Sequence, residues 1–113
     1  MTADDLVKDQ TIHELLRRLR DRFGDAAFAV EDHWEADLFA VGIARPDEPG
    51  RLAYISTWAL PTTGYYVDLE TPIKPQDDEG PHYRVAGRYN GPDFEQVAQL
   101  VAGHLGLVER NIR

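Results

Sequence analysis

The chain has 113 residues, 42% hydrophobic and 10% aromatic, with no cysteine and a formal net charge of −8. This length and apolar content suit one folded domain, residues 1–113, with a single core, and the missing cysteines exclude disulfides, thiolate metal sites and a cysteine nucleophile. The negative charge argues against a phosphate backbone as direct partner, and no apolar run approaches the roughly 20 residues that span a bilayer.

In chain order, the first element is a helix. Ile12, Leu15, Leu16, Leu19 and Phe23 recur at i, i+3, i+4, i+7 and i+11, which winds them into one apolar strip. Thr11 with Glu14 reads as a capping box, Gly24 as a left-handed stop, and Leu6 and Val7 allow an earlier start at Thr2. Five short strands are predicted next, over 27–31, 38–44, 51–57, 64–70 and 82–89. Between them lie a polar turn with His33, Trp34 and Glu35, the Pro/Gly turn 45–50, a turn at 61–64 and the long polar loop 74–81. Asn90-Gly91-Pro92 leads into a second helix capped by Asp93 with Gln96, and Gly106 ends it, with Leu107 folding back. Its strip is Phe94, Val97, Ala98, Val101 and Leu105.

Connections this short join antiparallel neighbours, since a parallel crossover needs a dozen or more residues. The expected fold is therefore α+β: a two-layer sandwich, an antiparallel meander of about five strands with the N- and C-terminal helices packed on one face. Alternation assigns Phe39, Val41, Ile43, Tyr65, Val67, Leu69, Tyr83 and Val85 to the core face, with Trp34 completing the core. It leaves Tyr66, Asp68 and Glu70, opposed by Arg84 and Arg88, on the other face.

Charge is concentrated in residues 25–79, which hold twelve acids against three bases. Such a region steers towards a basic protein partner. Asp68 and Glu70, at i and i+2, project from one strand face. They read either as a general acid and base, or as cross-strand ion pairs with Arg84 and Arg88. His33, Glu35 and Asp37 alternate but lack a further ligand set, so no metal site is expected. His13 and His104 fall off the apolar strips and are expected as surface residues. No nucleophile elbow, phosphate loop or dinucleotide fingerprint occurs, and neither enzymatic activity nor a cofactor is expected.

The segments 34–44, 52–57, 65–70 and the closing helix from Asp93 resemble small acidic bacterial immunity-type proteins of polymorphic toxin systems. That resemblance implies a non-enzymatic, cytoplasmic inhibitor that binds and neutralises a basic toxin. The expected partner-binding residues are Trp58, Tyr66, Asp68, Glu70, Asp77, Asp78 and Glu79, on a monomer or homodimer without nucleic acid or membrane contact. Two other functions fit the same pattern. One is an acidic secretion-chaperone-like or scaffold dimer, and the other a small ligand-binding protein or hydrolase using Asp68 and Glu70.

Overall fold

A computed structural model describes residues 6–31, 36–60, 62–72 and 83–109. The first apolar strip becomes helix α1, Gln10–Phe23, and all five of its apolar side chains are buried. Its cap is Asp9 rather than Thr11. The Asp9 carboxylate accepts both the backbone N–H and the hydroxyl of Thr11, at 2.9 and 2.6 Å, and these bonds hold it below the usual carboxylate range. A carboxylate two residues earlier reaches the orphan N–H groups that Thr11, now inside the first turn, does not. Glu14 accordingly pairs with Arg17 instead of closing a capping box. Residues Leu6–Asp9 precede the helix, and the earlier start at Thr2 lies outside the described residues. At the far end Gly24 has φ 101° and ψ 155°, a positive φ but not the left-handed helical conformation expected.

The second strip becomes α2, Phe94–Leu105. Here the expected capping box is present: Asp93 accepts from Gln96 N–H and Gln96 accepts from Asp93 N–H, both at 2.9 Å. Gly106 is left-handed, and Leu107 folds back, its N–H meeting Ala102 C=O at 3.0 Å. The two helices also touch directly. The Arg18 guanidinium lies 3.7 Å from the centre of the Phe94 ring, and Arg22 donates to both Glu95 and Glu109 at 2.6 Å.

Between the helices run β1 (Ala29–Val30), β2 (Ala40–Arg45), β3 (Glu48–Ser56), β4 (Tyr66–Pro72) and β5 (Tyr83–Asn90), a five-stranded antiparallel meander in chain order. Val41 and Ile43, Ala53 and Ile55, and Val67 and Leu69 form one cluster with the strips of both helices. Both helices therefore lie on one face of the sheet, and the α+β fold is the expected one. No helix among the described residues is long and apolar enough to cross a membrane.

Three local readings change. Pro49 and Gly50 sit inside β3 rather than in a turn. The register jumps from Ala44↔Leu52 to Arg45↔Glu48, so Pro49 and Gly50, with Arg51, occupy an irregular stretch that needs no regular ladder bond. A second bulge separates Leu69↔Gly87 from Glu70↔Val85. It reverses the parity of β5 and sets Val85 opposite Glu70, on the side away from the helices, instead of in the core. The third is Phe39, which precedes β2 and is only partly buried.

Candidate functional site

The face away from the helices can be built from the strand registers. One row runs Ala44, Leu52, Glu70, Val85; the next Gly42, Tyr54, Asp68, Arg88; the third Ala40, Ser56, Tyr66, Asn90. Alternation thus does place Tyr66, Asp68 and Glu70 together. Their surroundings differ sharply, though. Glu70 is 2% exposed, beside Leu52 at 6%, so it cannot present its carboxylate to a partner. It is removed from the set of exposed contact residues, because its row is filled by apolar neighbours. Arg84 is opposite Thr71, one place along from the Glu70 row, so the two do not form the expected pair on one face.

Asp68 does find its expected neighbour. Arg88 is directly opposite, with Nε 3.7 Å from Oδ1, too long for a hydrogen bond. The Asp68 side chain is 15% exposed and that of Arg88 66%. Burial pushes the Asp68 carboxyl up, and Arg88 only partly pulls it back. A raised folded-state value means that the folded chain holds the Asp68 proton more tightly than the unfolded chain does. Its contribution to stability is present below about pH 4, the ordinary Asp value, and is lost as pH rises through the folded value. Asp68→Asn is therefore expected to raise the thermal midpoint at pH 7 relative to the native chain, with the gain shrinking towards pH 3. A variant less stable at pH 7 would show that the Arg88 pair outweighs the burial. Tyr54, opposite Asp68, meets Tyr66 edge to face, ring centres 6.1 Å apart. Burial first, and then the nearby acids, push the Tyr54 hydroxyl up, so it stays protonated at neutral pH.

Among the described residues the most accessible aromatic lies at the end of the same strands. Trp58 is 74% exposed, and Phe39 meets its indole edge-on at 5.0 Å. Leu38 and Val7 are exposed beside the same segments: Leu38 C=O accepts from Asp9 N–H at 2.8 Å, and Lys8 Nζ donates to Asp37 C=O at 2.7 Å. What holds this end is a hydroxyl relay. Thr11 spends its O–H on Asp9, so the Thr57 O–H donates to Thr11 at 2.6 Å. Thr57 is itself buried, and its N–H reaches Phe39 C=O at 2.8 Å. Trp58 N–H meets Ser56 Oγ at 3.2 Å. The indole is thus mounted on a turn tied to α1 and to Phe39, just before β2. The sequence pattern marks Trp58 and Tyr66 as contact residues, but Thr11 only as a helix cap, Phe39 only as core and Thr57 not at all. A relay of two threonines 46 residues apart leaves no local signal.

Tyr65 is buried in the core, as predicted. Asp77, Asp78 and Glu79, like His33, Trp34 and Glu35, lie outside the described residues. His13 and His104 are half-buried rather than free: each donates from Nε2 at 2.9 Å to a carbonyl, of Leu6 and Glu70 respectively. Among the described residues no group of three or more His, Asp or Glu side chains is arranged to hold a metal ion. No known protein family, curated protein or solved structure matches this chain.

Proposed function

We propose that the chain is a non-enzymatic protein-binding module of the immunity type, which neutralises a basic partner. The exposed, braced indole of Trp58 is the observation that carries this reading. A rigid aromatic at a sheet end supplies large contact area at little entropic cost, which is the character of an interface anchor. Leu38 and Val7 widen the apolar centre, and Asp37 supplies an exposed acid beside it. Tyr66, opposite Ser56 and half-buried, borders the same end. The acidic excess of residues 25–79 favours a cationic partner through long-range attraction.

The test is growth rescue. The product of the neighbouring open reading frame is expected to arrest growth of a heterologous host, and co-expression of this chain to restore it. Trp58→Ala is expected to weaken binding by calorimetry at least tenfold, on the order of 2 kcal/mol for a hot-spot aromatic. Raising salt to about 0.5 M weakens the native complex further through screening. An unchanged Kd for Trp58→Ala removes the indole from the interface. A neighbour that neither arrests growth nor binds removes the reading.

A further inference from the structure

Among the described residues the sheet has one long open edge. β5 is the last strand of the meander, with β4 on one side only, while the opposite edge, β1, is two residues long. The hydrogen bonding of β5 can be followed from its C-terminal end. Gly91 N–H donates to Tyr65 C=O at 2.8 Å, and in an antiparallel ladder such pairs recur at every second residue. Tyr89, opposite Val67, and Gly87, opposite Leu69, therefore turn their backbone groups towards β4. Arg88 and Asn90 turn theirs away from the sheet. Ala86, Arg88, Tyr89 and Asn90 are all exposed, Tyr89 at 40%.

Over Gly87–Asn90 the Tyr89 ring does not cross this edge. A Cβ at Gly87 would lie 2.9 Å from the Tyr89 ring and its hydroxyl, which places that ring along its own strand rather than across the edge. On the helix side the edge borders an open groove of about 600 Å³, walled by Gln96, Gln99 and Leu100 of α2. In a chain of net charge −8, β5 holds two arginines and no acid. The strand itself thus brings no acid to a contact with a second copy. Arg88 also has Asp68 beside it to offset its charge.

We infer that β5 is a self-association edge, at which a second copy of this chain pairs antiparallel across a two-fold axis at Tyr89. In that register Arg88 opposes Asn90 of the second copy, twice, and the four outward N–H and C=O pairs are satisfied with no like charges directly opposite each other. Tyr89 opposes Tyr89 of the second copy as the non-hydrogen-bonded pair, and two meanders become one ten-stranded sheet. A two-fold axis perpendicular to the sheet keeps all four helices on one side, with the groove leaving room between the two α2 helices. The turn at Gly91 and the bulge at Ala86 limit the pairing to about five residues, so the dimer is weak and depends on concentration.

The absence of native cysteine makes the register directly testable. Residues that oppose each other in a non-hydrogen-bonded pair have Cα atoms about 4.5 Å apart, within disulfide range. Tyr89→Cys is expected to form a disulfide-linked dimer under mild oxidation, at least tenfold faster than Leu38→Cys, an exposed control at the other end of the sheet. Sedimentation equilibrium of the native chain from about 10 to 500 µM is expected to show conversion to dimer. Asn90→Pro removes an N–H that β4 does not use, and should raise the dimer Kd at least tenfold with an unchanged circular dichroism spectrum. A native chain that stays monomeric throughout that range overturns the inference, as does cross-linking of Leu38→Cys as fast as that of Tyr89→Cys.

Discussion

Gly64→Ala is expected to destabilise the fold by about 2–4 kcal/mol, read as a loss of the urea midpoint at unchanged slope. Gly64 has φ +119°, a conformation L side chains rarely adopt, and a Cβ there would lie 2.8 Å from Gly91 O and 2.9 Å from Pro92 O. Those obstacles are backbone atoms, so no side chain can swing aside. They also belong to the joint that starts α2, where Pro92 C=O accepts from Tyr65 N–H at 3.0 Å and Gly91 N–H donates to Tyr65 C=O. Pushing this backbone away loosens the first pair of the β4–β5 ladder and the Asp93 capping box together.

Two other glycines separate strain from collision. Gly91 has φ +95°, but a Cβ there comes no closer than 3.4 Å to Thr63 O. Gly91→Ala should therefore cost only the strain, about 1–2 kcal/mol. Gly103 lies inside α2 with nothing within 4 Å, and Gly103→Ala should stabilise by about 0.5–1 kcal/mol through helix propensity. Equal losses at Gly64 and Gly91 would show that the close approach at residue 64 contributes nothing.

Leu15→Ala is expected to cost about 2–5 kcal/mol by chemical denaturation, the range for removing a leucine from a packed core. Leu15 is fully buried, in the cluster that joins both helices to Val41, Ile43, Ile55 and Val67. The void would open between the two layers, where neither the sheet nor α2 can close it without breaking other contacts. Leu38→Ala, on an exposed leucine, is expected to change stability by less than about 0.5 kcal/mol. A loss below 1 kcal/mol for Leu15→Ala would mean that α1 packs far more loosely than its burial states.

Much of the architecture is legible in the sequence because its signals are local. The two apolar strips, the Asp93–Gln96 box and the glycine after each helix are short-range patterns, and the structure contains all of them apart from the details at Asp9 and Gly24. Strand alternation also identified Val41, Ile43, Val67 and Leu69 correctly, since one face of each strand meets the helices. It failed on β5, where a single extra residue at Ala86 exchanges the faces and sends Val85 to the side of Glu70. No pattern over a few residues announces a bulge, because the bulge answers the strand alongside.

The candidate site divides in the same way. Sequence by itself determined the α+β order, the acidic excess of residues 25–79, and the grouping of Tyr66, Asp68 and Glu70 on one face, all of which follow from chain order and a period of two. Tertiary structure alone decided that Glu70 is sealed in while Asp68 keeps Arg88 at its side. It decided too that Trp58 stands exposed on a turn fastened by Thr11 and Thr57, and that β5 ends the sheet with an open edge. The reason is physical: burial and hydrogen-bond partners belong to pairs of residues far apart in the chain, and only packing brings those pairs together.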